Sequence, residues 1–195
     1  MDPSCHHVER KSATPGGNRV TREPVPLAER KLDVVFIGFF LVNLLFISYI
    51  VSFEQLVIAD PAQFSYPIWP PAPLVDLVHW YGRTFDPLLI ARPPFWKATI
   101  WLDVLLFGPF YAFALYAFWK GRDWIRLPSV IYATMLFTNV FIILFEETAG
   151  QFASHQLAIV VALNLPWLLM PVAITARMWR SEHPFTRAVP GHPGS

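Results

Sequence analysis

The sequence predicts an all-α, polytopic membrane protein, a four-helix bundle with an intramembrane pocket. Three observations carry that prediction. Hydrophobic residues make up 54% of the 195 and charged residues only 15%, where a soluble domain carries about a quarter. Four apolar runs approach the roughly 20 residues that a helix needs to cross a bilayer. The basic residues then alternate between the connecting segments as an even number of crossings requires.

The elements follow in order. Residues 1–30 hold His6, His7, Pro15, Gly16, Gly17, Pro24 and Pro26, with no apolar core before Val34, so they read as a flexible cytoplasmic tail and not as a signal peptide. The one cysteine, Cys5, lies in that tail and excludes an internal disulfide. The membrane domain occupies 31–181, with spans at about 34–53, 98–119, 127–145 and 157–178. A soluble core helix would show a polar stripe, and 34–53 offers only Asn43, Ser48, Tyr49 and Ser52. Pro128 falls at the start of the third span, where a missing N–H is harmless. Residues 182–195, with Pro184, Pro190 and Pro193, read as a second flexible tail.

Twelve of the 15 Lys and Arg residues lie before span one, between spans two and three, or at the C-terminal end. The other three, Arg83, Arg92 and Lys97, lie in the first loop. This asymmetry puts both termini in the cytoplasm, of an endoplasmic reticulum protein in a eukaryote or a plasma membrane protein in a bacterium. The first loop, 54–96, is rich in Trp69, Trp80, Tyr81 and Trp96, amphipathic aromatics suited to a membrane interface. Within it, 74–81 could form a short interfacial helix.

Asp103 lies about a turn and a half inside the second span, Glu54 closes the first, and Asp86 sits in the aromatic loop. A carboxylate at membrane depth is costly unless it faces a wet cavity or a partner, which marks a functional site. The alternatives are a structural hydrogen bond for Asp103 and ordinary interfacial charges for Glu54 and Asp86. Glu146 and Glu147, at the end of span three, read as loop-edge charges. Pro109, Pro166 and Pro171 interrupt spans two and four and open room between helices. Asn164 and Trp167 share a face of span four, where an amide needs a polar partner and an indole can cover a cation.

These parts suit an apolar pocket for an amphiphilic cation, or for a carbocation formed transiently from an isoprenoid. The net charge of +1 argues against a nucleic-acid partner. No phosphate-binding glycine loop and no HExxH, GxSxG or CxxC motif is present. The expectation is therefore no cofactor and no metal.

Several motifs are more specific. His79-Trp80-Tyr81, Phe85-Asp86-Pro87-Leu88-Leu89, Pro93-Pro94-Phe95-Trp96-Lys97 and Tyr116-Ala117-Phe118-Trp119-Lys120-Gly121-Arg122-Asp123-Trp124-Ile125-Arg126-Leu127-Pro128 resemble the sigma-2 receptor branch of the EXPERA superfamily. The likeness runs from about 33 to 180. It implies that Asp103 and Glu54 face a ligand and that Asp86 supports them, and Trp80 and Tyr81 of the aromatic loop join Asn164 and Trp167 as candidate ligand-binding residues. Asn164-Leu165-Pro166-Trp167 resembles instead the emopamil-binding branch of sterol isomerases, whose Asn and Trp flank a carbocation. Those isomerases carry a His four residues before the acid matching Glu54, and here Ile50 stands at that place.

The leading expectation is recognition of a sterol- or terpenoid-like molecule with acid/base isomerisation or cyclisation, Asp103 and Glu54 being the catalytic pair. The competing reading is a non-enzymatic binder or trafficking factor for sterols and cationic amphiphiles. Expected partners are a lipophilic small molecule and membrane lipid, and the architecture is compatible with a homodimer.

Overall fold

A computed structural model describes residues 21–189. Four helices in it are long and apolar enough to cross a membrane: α1 (Lys31–Val57), α4 (Pro94–Lys120), α5 (Asp123–Ala149) and α6 (Leu157–Trp179). Two shorter helices, α2 (Ala72–Thr84) and α3 (Pro87–Ala91), fill the long first loop. The chain is an all-α membrane bundle, as the composition predicts. The first three spans overrun their apolar runs by a few residues, since backbone hydrogen bonding continues into the polar interface beyond the hydrocarbon.

Local sequence sets the boundaries. Pro94 opens α4, where its missing N–H costs no intrahelical bond. Gly121 closes α4 with φ of 64°, the left-handed conformation that glycine adopts without strain, and the chain reverses into α5. Asp86 caps α3 by accepting from the backbone N–H groups of Leu88 (3.1 Å) and Leu89 (3.3 Å).

Bilayer lipid is as apolar as leucine, so packing and not water exclusion joins these helices. Phe36, Phe40, Phe107, Tyr111, Phe118 and Tyr132, from α1, α4 and α5, are all buried. Their rings interlock: Phe110 stacks on Tyr132 at 4.3 Å, and Phe40 meets Phe118 edge-on at 5.2 Å. Such pairs contribute about 0.5–1.5 kcal/mol each beyond their area. Leu45, Leu105, Phe113 and Phe145 point outward and are exposed, as a lipid-facing surface requires.

Two stretches depart from α-helical winding. Asn43–Ser52 in α1 and Asp103–Phe107 in α4 are π-helical. The buried positions of α1 show the change. Asp33, Phe36, Phe40 and Asn43 follow in steps of three and four, and the next buried residue is Ser48, a step of five, before Ser52. The wider turn rotates both serines toward α4.

The two ends of the chain differ from expectation. Strands β1 (Thr21–Pro24) and β2 (Thr186–Val189) pair antiparallel, so 1–30 and 182–195 are not plain tails throughout. The fully buried Phe185 anchors the ribbon. Its ring lies 5.3 Å from the Arg30 guanidinium and 5.4 Å from that of Arg177. Residues 1–20 and 190–195, Cys5 among them, lie outside the described residues.

Candidate functional site

Both π-helical stretches converge on one carboxylate. Asp103 opens the π turn of α4 and is 8% exposed. The Ser48 hydroxyl donates to one of its oxygens at 3.0 Å and the Ser52 hydroxyl to the other at 2.7 Å. The acid thus faces the bundle, as the cost of lipid exposure demands. π turns inside α-helices are frequent at functional sites.

The partners of Asp103 come from α1, where the sequence pointed to Asn164 and Trp167 of α6. Asn164 donates instead to Val160 O of its own helix at 3.0 Å. Trp167 donates its indole N–H to the Asn43 side-chain oxygen at 2.7 Å, and Asn43 donates in turn to Phe39 O. A buried amide on α1 therefore satisfies the indole. The structure brings Trp167 to the first span but places no bond between α6 and Asp103.

Glu54 lies in a different environment. It is fully buried, and Arg92 Nη2 donates to both of its oxygens at 2.9 and 2.8 Å. His79 Nε2 lies 2.8 Å from Oε1. A carboxylate paired with a guanidinium only accepts, so the imidazole donates from Nε2. Arg92 is itself fixed by Leu89 O (3.0 Å) and Ile58 O (2.5 Å). Its backbone adopts the left-handed region (φ 48°, ψ 52°), which costs a non-glycine residue about 1–2 kcal/mol. The buried ion pair holds it there.

Asp86 forms a third acidic position. Burial pushes its carboxyl up to about 6, against the pull of the Leu89 and Leu88 N–H groups. Its carboxyl faces that of Glu147. Glu147 is buried, and neither of its carboxyl oxygens meets a conventional donor among the described residues. Two facing acids satisfy one another only by sharing a proton, so Glu147 is not the loop-edge charge expected of it. Tyr81 lies beside this pair, its phenol pushed up to about 12 by burial and then by the charges of Asp86 and Glu147. Trp80 points outward, its ring edge-on to Phe85 at 5.6 Å.

Recesses open at two places among the described residues. A groove of about 570 Å³ runs between α5 and α6 from Ala133 and Phe137 to Pro171 and Trp179. A cleft of about 340 Å³ on α2 is lined by Phe64, Tyr66, Asp76, His79, Trp80, Arg83 and Thr84. Neither is lined by Asp103, Asn164 or Trp167.

A family model described as EBP: EXPERA (EXPanded EBP superfamily) matches residues 73–178. The chain belongs to the EXPERA family. It is 33% identical over 119 residues to sigma intracellular receptor 2 of Xenopus tropicalis, covering 55% of this chain and 70% of that protein. It is 32% identical over 127 residues to sigma intracellular receptor 2 of Homo sapiens, covering 58% and 72%. The EXPERA match spans Asp86, Arg92, Asp103, Asn164 and Trp167, while Ser48, Ser52 and Glu54 precede it.

Sequence reasoning missed Asn43, Ser48, Ser52, His79 and Arg92 as members of the polar network. One signal was available for Arg92, which is among the three cations on the cation-poor side of the chain. A cation that departs from the charge asymmetry beside a buried acid is a candidate partner for it.

Proposed function

We propose that this EXPERA protein binds a lipophilic small molecule within the membrane and reads its one polar head at Asp103. The head is a cation or a hydroxyl, and the body is of the sterol or terpenoid type. One observation carries the reading. Asp103 is a carboxylate at span depth whose hydrogen-bond partners are two neutral hydroxyls, Ser48 and Ser52. The two buried acids of α1, by contrast, have cations: Asp33 is paired with Arg30 and Arg177, and Glu54 with Arg92. An anion without a counter-cation in a low-dielectric interior favours a ligand that supplies the positive charge or a hydrogen-bond donor. The receptor names of the relatives support the same class.

The binding reading displaces the catalytic one because of Glu54. A general acid must present its carboxyl to the substrate, and both oxygens of Glu54 are already taken by Arg92 and one of them by His79 as well. Isomerisation keeps one observation in its favour, that His79 supplies to Glu54 the imidazole missing at Ile50. The accompanying orientation has both termini in the cytoplasm, and Cys5 labelling from only that side of sealed vesicles tests it.

The functional test uses purified protein and a matched series: a lipophilic tertiary amine, the corresponding alcohol and the corresponding hydrocarbon. The expected order of affinity is amine, alcohol, hydrocarbon, with Asp103→Asn flattening it. Conversion of any member of a sterol and polyprenyl panel, abolished by Asp103→Asn, would overturn the binder in favour of the isomerase.

A further inference from the structure

We infer that Arg92 is a built-in counter-cation that fills, at Glu54, a second site for a cationic head, so that Arg92 determines which acid of this protein a charged ligand can use. The inference rests on the binding reading above and extends it to a residue with no assigned role.

The geometry is that of an occupied site. Glu54 is inaccessible, and Arg92 Nη2 bridges both of its oxygens while His79 takes one of them. The guanidinium is anchored by Leu89 O and Ile58 O, so it does not wander. Its backbone is the one positive-φ non-glycine position among the described residues. That conformation ends α3 and turns the side chain back toward α1. Ser48 and Ser52, which hold Asp103, lie on the turns just before Glu54. Glu54 of α1 and Asp103 of α4 thus lie at neighbouring turns of α1, one compensated by the chain and one left to a ligand. Removal of the guanidinium leaves Glu54 a buried acid with no arginine beside it and His79 Nε2 as its remaining side-chain partner, close in kind to the site that Asp103 presents.

Two measurements test this. Purified Arg92→Ala is melted in the presence of methylguanidinium or of methylurea, its neutral shape-mate, both far below denaturing concentrations. Methylguanidinium is expected to raise the melting temperature of the variant and methylurea to leave it unchanged, while the unmodified protein responds to neither. Equal responses overturn the inference. Should the variant be recovered only as aggregate, the same pair of additives is present during production. Selective recovery with methylguanidinium supports the inference, and equal recovery overturns it.

The second measurement titrates a quaternary ammonium amphiphile and its uncharged carbon analogue. Arg92→Gln is expected to gain about tenfold for the cation, the scale of one charge-assisted contact. The gain disappears in Arg92→Gln/Glu54→Gln, and the carbon analogue binds all forms alike. An equal gain in the double variant overturns the assignment to Glu54. The Asp103→Asn background separates this inference from the one it rests on: the gain from Arg92→Gln persists there, whereas Asp103→Asn alone tests the primary site.

Discussion

Asp33 and Asp103 are both buried aspartates on membrane-embedded helices, yet their surroundings are opposite in kind. Asp33 accepts from Arg30 at 2.7 Å and from Arg177 at 3.2 and 3.3 Å. The same arginines also bond Phe118 O and Pro184 O. That acid joins α1, α4, α6 and the C-terminal segment into one junction. Asp103 has two hydroxyls and no cation. A buried charge neutralised by the chain is architecture, and one left uncompensated is a place for something else. Residue type alone does not separate the two cases.

The comparison breaks most sharply under paired substitution. Asp33→Asn leaves two arginines without their counter-charge, and loss of one partner from a buried ion network costs about 3–5 kcal/mol. The expected outcome is a large fall in the detergent melting temperature and in yield. Asp103→Asn removes a charge that has no internal partner, so stability changes by less than about 1 kcal/mol. Its affinity for a lipophilic amine falls about tenfold to a hundredfold, read by equilibrium titration. If the stability losses come out equal, the distinction between the two acids fails.

Asp86 sharpens the comparison through pH. Its folded value of about 6 lies above the ordinary 3.8, so the folded protein holds this proton more firmly than the unfolded chain. The resulting stabilisation is full below about pH 4 and disappears as pH rises through about 6. Asp86→Asn should flatten the change in melting temperature across that window by the equivalent of about 3 kcal/mol. A variant with an unaltered pH profile would show that burial does not control this acid.

The smallest effect is expected at α6. Trp167→Phe keeps the ring and deletes the bond to Asn43, which is worth about 1 kcal/mol. Thermal unfolding should show a shift of that size, with amine affinity nearly unchanged. A loss of affinity as large as that of Asp103→Asn would bring Trp167 back to the ligand.

The spans were legible because a crossing helix must be apolar over its whole length, and 31–57 or 157–179 cannot hide that. The acids were legible for the converse reason, since Asp103 stands out against Leu102 and Val104. Their partners were not. Arg92 and Glu54 lie 38 residues apart, and only the turn of α3 brings them together. The π turns of α1 and α4 have no residue signature, being imposed by packing between helices, so the rotation of Ser48 toward Asp103 could not be read from spacing. The ribbon at the ends was hidden in the same way, because Pro24, Pro26 and Pro184 look like breakers until Phe185 is seen between two arginines.

That ribbon has a mechanical consequence. Thr21 faces Val189 and Pro24 faces Thr186, so both chain ends leave from the same end of the ladder. Antiparallel hydrogen bonds lie perpendicular to their strands, and tension between the two ends therefore loads them singly, like the teeth of a zip, beginning at Thr21. The tear runs inward as far as the bond from Val25 N–H to Phe185 O and stops at the ring clamped by Arg30 and Arg177. A pull on either end therefore meets that ring before it meets the first membrane helix.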